Sequence, residues 1–369
     1  MDTRYFFHVD LDAFFAACHV ARDPTLKGKP LIVGGDPVRG RGVVSTCSYE
    51  ARKYGVRSAM PVSQAQQLCP QAIYVKPDFS MYSAVSRKIM TYLRVITKES
   101  HDIPGKFQQA GMDEAYLDFT DRIVTHGLDP VALAVDIKEQ VKKLADVTCS
   151  IGIAPTKTCA KIASDENKPD GITFVPPNGL KVFLAPLPVR RIPGIGKKGK
   201  EQLKRWGIET AGQLQQFPVE NLPEHWKYFW EVVNGLHPGE VHEEGREPKS
   251  ISKERTFFDC VKAGEEIYRI IENLTEKLQE EMTEHGFACR TVTVKIRRKD
   301  FKTFTRSLSL PGPVTESGLI AGLAKDILKN WMKEEENRTG SKPLFRLLGV
   351  RLSNFSGERE VVKPLLTWF

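Results

Sequence analysis

Apolar residues recur along this chain with two periods, and each period predicts one class of element. Short runs such as RYFFHV, KPLIVGG and CSIGIA are rich in aromatic and β-branched residues, which indicates strands. FSMYSAVSRKIMTYLRVITK instead carries apolar residues at helical spacing. DPVALAVDIKEQVKKLA predicts another helix, with Asp129 as N-cap and Pro130 at its first position. Residues 1 to about 172 therefore mix strands and helices in one α/β body.

The pattern changes twice after this body. Residues 173–235 combine short helical runs with many Pro and Gly turns, which predicts a small helical domain. Residues 236–252 are polar without periodicity and indicate an interdomain linker. The remaining chain predicts the order strand, helix, strand, strand, helix, strand, which is a ferredoxin-like split βαββαβ pattern.

Composition bounds the class of protein. A chain of 369 residues with 41% hydrophobic and 27% charged residues is typical of a soluble protein of several domains. No run approaches the roughly 18 apolar residues of a membrane span. The N-terminal MDTRYFFHVDLDAFF carries acidic residues inside its apolar stretch, unlike a signal peptide, so we expect a cytoplasmic protein without a membrane partner. Seven scattered cysteines without a CxxC pair predict reduced, mostly buried thiols.

The basic charge of the chain makes an anionic partner plausible. The net charge is +8, and part of it is concentrated in VRRIPGIGKKGKEQLKR. A turn at Gly194 to Gly196 between two helices can direct backbone N–H groups at a DNA phosphate. An ordinary helix-helix turn with solvated charges is the alternative.

Two acidic strand ends carry the candidate chemistry. Asp10 ends an apolar strand in FFHVDLDAFF, and the adjacent Asp113 and Glu114 follow QAGM. If the two strands are neighbours, the three carboxylates converge at one sheet edge, provided that a bend, which Gly111 allows, turns Asp113 and Glu114 towards one site. Oxygen ligands without His or Cys favour Mg²⁺, and two such ions suit phosphoryl transfer. A solvated carboxylate pair beside a turn is the competing interpretation.

Several motifs together resemble one known family. HVDLDAFFAACH, STCSYEARKYGVRSAMP, MDEAYLDF and SDENKPDGI, in this order and spacing, are similar to the Y-family translesion DNA polymerases of the DinB or DNA polymerase IV branch. The resemblance runs from Tyr5 to about Phe355 and includes IPGIGKK, TRSLSL and LLGVRLSNF. It implies α/β and α+β domains in a right-hand polymerase with palm, fingers, helical thumb and a βαββαβ little finger.

The resemblance implies roles around the carboxylates. Asp10, Asp113 and Glu114 match the catalytic, metal-binding acids, with Glu114 as the catalytic carboxylate and the carbonyl of Leu11 as an extra metal ligand. Two Mg²⁺ ions per site are implied, with Mn²⁺ as a substitute. Phe15 matches the steric gate that excludes a 2′-OH. The alternative for Phe15 is a core aromatic.

A second group matches the nucleotide site. Tyr49 and Arg52 lie three residues apart on a short helix, hence on one face, and offer a hydroxyl and a planar fork to a triphosphate. Without the resemblance, a tyrosine packed beside a surface arginine is the simpler interpretation. The resemblance adds Phe14, Thr46 and Lys168 to the dNTP-binding residues, although Phe14 is also expected in the core. Asp12 is expected to be only a helix N-cap.

Two surfaces are expected to hold DNA. One is the helix-hairpin-helix; the other is the C-terminal sheet, where Val292, Val294 and Ile296 face one way and polar or basic residues the other. A solvated sheet face is the alternative. The candidate contacts on the two surfaces are Gly194, Gly196, Lys197, Lys198, Lys295, Arg297 and Arg306.

The resemblance also implies domain boundaries and partners. The expected division is palm 1–18 and 77–172, fingers 19–76, thumb 173–235, linker 236–252, little finger 253–356 and tail 357–369. We expect a monomer that performs error-prone translesion synthesis on primer-template DNA with dNTPs, without proofreading. The apolar end of the tail is a candidate sliding-clamp peptide or a frayed terminus.

Two rival functions stay open on the sequence alone. A two-metal nuclease would use the same acids but needs no triphosphate site. A non-catalytic DNA-binding protein would need neither the three carboxylates nor a gate.

Overall fold

The chain forms two compact units. The computed structural model describes residues 3–38, 42–99, 102–243 and 247–357, and its units are Met1–Gly245 and Arg246–Phe369. The expected clamp-binding segment, 358–369, lies outside the described residues. No helix in the described ranges is long and apolar enough to cross a membrane.

The first unit alternates strands with helices and ends in helices alone. Its strands are β1 Phe6–Leu11, β2 Leu31–Gly34, β3 Val44–Cys47, β4 Ile73–Val75, β5 Lys106–Gln109, β6 Glu114–Asp118, β7 Cys149–Ala154 and β8 Ile172–Phe174. Its helices are α1 Phe14–Arg22, α2 Tyr49–Lys53, α3 Val62–Leu68, α4 Phe79–Lys98, α5 Thr120–His126, α6 Pro130–Ala145, α7 Lys157–Ser164, α8 Leu180–Leu184, α9 Lys197–Arg205, α10 Ala211–Gln216 and α11 Glu224–Asn234.

The larger sheet of this unit has the order β5-β6-β1-β7-β8. Alternate residues of β1 face opposite sides, so Phe7 and Val9 enter a core with residues of α4 and α6. His8, on the other face, is hydrogen-bonded to Ser164 of α7. The α4 and α6 side of the central strands is therefore apolar. The α7 side carries Phe6 in a second core and, further along β1, the polar His8 and Asp10, where the candidate site lies.

Helix α7 lies unusually close to this sheet. A Cβ on Gly152 of β7 would overlap the Ala160 carbonyl oxygen and the Ser164 nitrogen. Because only a glycine leaves this space, the backbone of α7 can approach β7 and bring its side chains to the polar face.

A small sheet and a helical bundle complete the unit. The sheet has the order β3-β2-β4 and packs with α2 and α3 around its own core, which includes Ile32, Val44 and Ala51. Helices α8 to α11 surround another core that contains Leu203, Leu214 and Trp226.

The stretch after α11, predicted as part of a linker, is held to the first unit over 236–243. The Lys157 backbone N–H donates to the Pro238 carbonyl at 2.8 Å, and its ammonium donates to the Glu240 carbonyl at 3.0 Å. The His242 N–H donates to Gln108 at 3.2 Å, and Val241 is buried. A polar, aperiodic sequence does not show such anchoring, because backbone groups form most of it.

The second unit is one sheet covered on one face by two helices. Its elements are β9 Ser250–Lys262, α12 Glu265–His285, β10 Phe287–Arg298, β11 Thr303–Val314, α13 Ser317–Thr339 and β12 Leu344–Gly357. The antiparallel sheet has the order β11-β10-β12-β9. The predicted βαββαβ order is thus confirmed.

Most predicted elements of the first unit are also confirmed. The long helix spans Phe79–Lys98, and Asp129 caps α6 by accepting from the Val131 N–H at 2.9 Å. The described cysteines are all free, and of the seven only Cys260 is not buried. The prediction missed α3, α5, β4 and β8; the two strands have three residues each, too short for a periodic signal.

Candidate active site

The first feature of the site is the pairing of two acidic strand ends. Strands β1 and β6 are antiparallel neighbours, and Asp10 lies opposite Glu114. Opposed residues of an antiparallel pair point to the same face, so both carboxylates lie on the α7 side. The Leu11 N–H donates to the Asp113 carbonyl at 2.8 Å, which holds the third acidic residue beside β1. The structure therefore brings together the three carboxylates that the sequence predicted.

A tight turn allows Asp113 and Glu114 to share the site. The N–H groups of Ala110 and Gly111 both donate to the Glu114 carbonyl, at 3.0 and 3.2 Å. A Cβ on Gly111 would come within 3.2 Å of Glu114 Cγ and 3.5 Å of Asp113 Oδ1. The absence of a side chain at Gly111 therefore leaves room for the side chains of Asp113 and Glu114. Ser86 of α4 donates to the Met112 carbonyl at 2.6 Å and anchors the turn from below.

The positive charge of Lys168 offsets the negative charge of the carboxylates in the site. Lys168 places its ammonium 2.7 Å from Asp10 Oδ1 and 2.7 Å from Asp165 Oδ1. Burial raises the pKa of Asp10, against the opposing effect of Lys168, and burial also raises the pKa of Asp113. Burial acts to lower the pKa of Lys168, but the Asp10 and Asp165 carboxylates raise it above its ordinary value. The lysine therefore stays charged.

Glu114 is in a different electrostatic environment. It accepts from His8 Nε2 at 3.1 Å and forms an ion pair with Lys161. The His8 hydrogen bond, followed by Lys161, lowers the pKa of Glu114 to about 2 although burial opposes this. Burial lowers the pKa of His8, so the ring is neutral and donates through Nε2 to an ionised carboxylate.

The donor set fits a hard divalent cation. Ligand atoms of His8, Asp10 and Glu114 lie within 4.8 Å of one another. Both ring nitrogens of His8 are hydrogen-bonded, Nδ1 to Ser164 at 2.8 Å, so the histidine is occupied. Oxygen atoms of Asp10, Asp113 and Glu114 are left, and half-buried carboxylates without nitrogen or sulfur ligands suit Mg²⁺.

A polar pocket of about 240 Å³ extends from Asp10 and Asp113 to α2. The Arg52 guanidinium lies 4.5 Å from the centre of the Tyr49 ring, which confirms that the two share a face. Burial raises the pKa of Tyr49 to about 12, so its hydroxyl keeps its proton as a donor. Of the predicted residues, the lining includes Asp10, Leu11, Phe14, Phe15, Thr46, Tyr49, Arg52, Asp113 and Lys168.

Three further residues line this pocket without having been predicted. Ser45 and Ser58 contribute hydroxyl groups, and Ala13 lies between the strand and α1. No sequence signal separates these serines from other surface serines, because they reach the pocket only through the fold of the small sheet.

Two adjacent aromatics on α1 have different environments. Phe14 is 2% exposed and belongs to the core, as expected, while it also lines the pocket. Phe15 is only partly buried, and its ring stacks on Tyr82. The exposed part of Phe15 faces the pocket that contains the carboxylates and Arg52.

The expectation that Asp12 caps a helix is wrong. The N-cap of α1 is Ala13, which has a left-handed φ of 44° and no side-chain cap. Asp12 is 3% exposed and accepts several hydrogen bonds instead. The donors are Thr148 Oγ1 at 2.8 Å, Ser150 Oγ at 2.8 Å, the Asp170 N–H at 2.9 Å and the Tyr49 hydroxyl at 3.3 Å. Asp12 therefore fixes the pocket wall that carries Tyr49.

The predicted helix-hairpin-helix turn precedes α9. Gly194 has a φ of 97°, and a Cβ there would come within 3.0 Å of the Phe229 ring, so glycine is required. Gly196 is the N-cap of α9, and Lys197 and Lys198 are exposed in its first turn. The Ile195 N–H is taken by the Ile192 carbonyl at 3.0 Å, so the amides of the two glycines are the candidates for an anion.

The register of the second unit separates residues that the sequence had grouped. Lys295 and Arg297 point to the open face, opposite Thr305 and Thr303. Arg306 instead lies opposite the buried Val294, so it points to the helix-covered face, where it pairs with Glu334 of α13 at 3.3 Å. The grouping of Arg306 with the open face is therefore corrected.

The open face carries an arginine that was not predicted. Arg351 of β12 lies opposite Thr293 and is exposed. The alternation of LLGVRLSNF could have shown this, because Val350 and Leu352 are buried on either side of it. A Cβ on Gly349 would come within 2.8 Å of Glu254 Cγ, and that glutamate pairs with Lys295 at 2.6 Å.

Comparison with family models identifies the same three regions. Residues 9–165 match the impB/mucB/samB family, residues 177–208 the IMS family HHH motif, and residues 248–363 the impB/mucB/samB family C-terminal domain.

Curated relatives are similar over almost the whole chain. DNA polymerase IV of Methanoculleus marisnigri is 43% identical over 364 residues, which cover 96% of this chain and 95% of the relative. DNA polymerase IV 2 of Methanosarcina mazei is 38% identical, with 100% of this chain and 96% of the relative covered.

Solved structures of polymerases share the fold. A Y-family DNA polymerase chimera, Dbh-Dpo4(243-245)-Dbh, has a TM-score of 0.81 and 27% identity, covering 95% of this chain and 98% of that chain. An insertion ternary complex of Dbh DNA polymerase has a TM-score of 0.63 and 26% identity, covering 97% and 100%. The chain therefore belongs to the Y-family of translesion DNA polymerases, in the DinB or DNA polymerase IV branch, with their right-hand fold of α/β and α+β domains, and is a DNA-directed DNA polymerase.

Proposed function

We propose that this chain extends a primer 3′-OH with dNTPs by two-metal-ion nucleotidyl transfer, copies damaged templates with low fidelity and serves DNA repair. The observation that carries the proposal is one pocket that joins the carboxylates of Asp10 and Asp113 to the cations of Arg52 and Lys168. Carboxylates suit metal-assisted phosphoryl transfer, and the cations suit a triphosphate.

The metal sites follow from the donor set. Asp10, Asp113, Glu114 and the carbonyl of Leu11 would hold two Mg²⁺ ions, with Mn²⁺ as a substitute. When bound, the ions supply the charge that lowers the pKa of the primer hydroxyl and stabilises the triphosphate.

The protein groups supply orientation and selection. Glu114 is ionised and can only accept, so it suits the hydrogen of the primer hydroxyl. Arg52 and Thr46 donate to the triphosphate. When substrate enters, Lys168 moves from Asp10 to a phosphate, and the Tyr49 hydroxyl turns from Asp12 to another phosphate oxygen. Phe14 and Phe15 lie beneath the sugar, where Phe15 excludes a 2′-OH.

The remaining regions hold primer-template DNA. We assign the palm to 1–18 and 77–172, the fingers to 19–76, the thumb to 173–235, the linker to 236–252 and the little finger to 253–356. Gly194, Gly196, Lys197 and Lys198 contact backbone phosphates in the thumb. Lys295, Arg297 and the newly located Arg351 do so in the little finger.

Properties of the whole molecule complete the proposal. We expect a monomer that works in the cytoplasm without proofreading. The tail, 357–369, binds a sliding clamp. Deletion of 363–369 should reduce clamp-stimulated synthesis and leave basal synthesis unchanged; equal stimulation of both proteins would contradict the clamp contact.

A primer-extension assay tests the activity itself. Primer-template, dNTPs and Mg²⁺ should give a longer primer, whereas a two-metal nuclease would shorten it and a non-catalytic binder would leave it unchanged. The nuclease is disfavoured because it has no use for Arg52, Tyr49 and Lys168 in the pocket.

Substitutions test the assignment of the carboxylates. Asp10→Ala, Asp113→Ala and Glu114→Gln should each abolish extension and retain DNA binding, because the duplex contacts lie in other domains. Asp136→Ala, on the exposed face of α6, is the matched control and should extend normally. Near-normal extension by any of the three variants would remove that residue from the site.

A further inference from the structure

The two carboxylate oxygens of Glu114 have different surroundings. Oε2 accepts from His8 Nε2 at 3.1 Å and from the ammonium of Lys161. Oε1 lies on the side of the turn, since a Cβ on Gly111 would come within 3.7 Å of it and 3.5 Å of Asp113 Oδ1. Among the described residues, no hydrogen bond reaches Oε1. One oxygen is therefore held, and the other is free beside Asp113.

The groups that hold Oε2 are themselves fixed. His8 is fully buried, and its Nδ1 is hydrogen-bonded to the hydroxyl of Ser164 at 2.8 Å. Ser164 and Lys161 are three residues apart on α7, so they lie on the same face of the helix. Gly152 lets that helix approach the sheet closely. The donors to Oε2 thus belong to a packed helix-sheet contact.

Lys161 differs from the other lysine of the site. Lys168 lies in the substrate pocket and pairs with Asp10, so a phosphate can displace it. Lys161 is absent from the pocket lining, and its side chain is one-third exposed on the α7 side of Glu114. Its position suits a permanent partner of Glu114 better than a ligand of the incoming triphosphate.

We propose that Lys161, together with His8, is a positioning residue that holds Oε2 of Glu114 and so presents Oε1 to the reacting end of the primer. This inference rests on the function proposed above. A freely rotating carboxylate would present either oxygen, whereas an oxygen clamped by two donors leaves one defined orientation. Groups that orient catalytic or metal-binding side chains commonly change activity by about 10- to 100-fold.

Two substitutions at Lys161 separate positioning from other roles. Lys161→Met has an unbranched side chain of similar length but donates no hydrogen bond, while Lys161→Arg keeps a cationic donor. Single-turnover insertion should be about 10- to 100-fold slower in Lys161→Met at saturating dNTP, with the KM for dNTP changed less than about threefold. Lys161→Arg should recover most of the rate. Lys142→Met, which removes an exposed lysine of α6, should behave as wild type.

A readout without catalysis separates positioning from ligation. Mn²⁺ binding to the free protein, followed by electron paramagnetic resonance, should be at least as tight in Lys161→Met as in wild type, because a cation has been removed beside the carboxylates. Asp10→Asn, which changes a proposed ligand, should bind Mn²⁺ more weakly. Mn²⁺ binding by Lys161→Met that is as weak as binding by Asp10→Asn would overturn the positioning role.

The remaining outcomes are also decisive. If wild type extends primers and Lys161→Met is equally fast, the inference is wrong while the proposed function stands. If the dNTP KM rises instead of the rate falling, Lys161 contacts the triphosphate and the inference is again wrong. If wild type does not extend primers, the proposed function fails first. Should Lys161→Met melt well below wild type, Lys161→Leu, which also donates no hydrogen bond, takes its place with the same criteria.

Discussion

The ring of Phe15 lies face to face on the ring of Tyr82, with centroids 4.2 Å apart and an angle of 9° between the planes. Tyr82 is fully buried, and its hydroxyl is hydrogen-bonded to His19 Nε2 at 2.7 Å. The ring of Phe79 is nearly perpendicular to that of Phe15, with centroids 5.8 Å apart. Phe15 is therefore supported from behind by a fixed ring, and it cannot retreat when a larger sugar enters the pocket.

Phe15→Ala should admit ribonucleotides. Removal of the ring opens space for a 2′-OH, and a clash of about 3 kcal/mol corresponds to roughly a hundredfold change in the ratio of rCTP to dCTP insertion. Insertion of dCTP should fall by less than about tenfold, because the carboxylates and triphosphate contacts remain. The measurement is single-nucleotide insertion opposite template G.

The exposed neighbour of Phe15 provides the control for this experiment. Phe79 is 58% exposed and its ring is nearly perpendicular to that of Phe15. Phe79→Ala leaves the stack of Phe15 on Tyr82 in place, so it should keep the wild-type ratio. A folded, active Phe15→Ala protein with an unchanged ratio would show that Phe15 is a packing residue alone.

Gly152→Ala should displace α7 and slow catalysis. The added methyl group would overlap the Ala160 carbonyl and the Ser164 nitrogen, so the helix must move away from the sheet. Overpacking of this kind costs roughly 1–3 kcal/mol, and the movement also withdraws Lys161 from Glu114. A lower midpoint in urea together with slower insertion is expected.

A glycine in open surroundings controls for the substitution itself. A Cβ on Gly322, within α13, meets nothing within 4 Å, so Gly322→Ala should be neutral or stabilising by about 0.5–1 kcal/mol. If Gly152→Ala unfolds at the same urea concentration as wild type, α7 does not depend on the missing Cβ.

The sequence predicted the parts of the site that depend on local pattern. Asp10 lies near the end of β1 and Asp113 directly precedes β6, so their meeting follows from the pairing of those two strands. Asp12 was misjudged because its partners Thr148 and Asp170 are 136 and 158 residues away along the chain, and no periodicity reports such contacts. Lys161 was missed for the same reason, since only the packing of α7 brings it to Glu114.

The error at Arg306 has a different origin. Alternation along TFTRSLSL already groups Arg306 with Phe304 and Leu308 on one face, and the structure shows that this is the helix-covered face. The prediction for Arg306 followed its basic charge and not its place in the alternation of side chains along the strand. Period-two parity is thus a better guide to a sheet face than charge.

Glu335 should make the second unit sensitive to acid. The residue is 4% exposed and pairs with Arg298 and, at 2.6 Å, with Arg338. The hydrogen bond from Arg338, with help from Arg298, lowers the pKa of Glu335 despite burial. Because the folded pKa lies below the unfolded one, the pair stabilises fully above about pH 4.5 and progressively less as the pH falls towards the folded pKa.

Glu335→Gln tests this dependence with little change in shape. At pH 7 the variant should lose about 1.5–3 kcal/mol of unfolding free energy, since hydrogen bonds to a charged group are replaced by neutral ones. The difference from wild type should shrink below about pH 4.5. Urea denaturation at several pH values measures it, with Glu336→Gln, an exposed neighbour, as control. A difference independent of pH would show that packing, not charge, is responsible.

Arg351 and Arg306 provide a matched pair for DNA binding. Both are exposed arginines of one sheet, on the two strands that flank β10. Arg351 lies on the open face with Lys295 and Arg297. Arg306 lies on the helix-covered face, where it pairs with Glu334. If the open face binds phosphates, Arg351→Ala should reduce the slope of log affinity against log salt by about 0.9, the value for one phosphate. Arg306→Ala should leave the slope unchanged. Titrations of a primer-template between about 50 and 200 mM salt measure both slopes, and a larger change for Arg306→Ala would place the DNA on the other side of the strand.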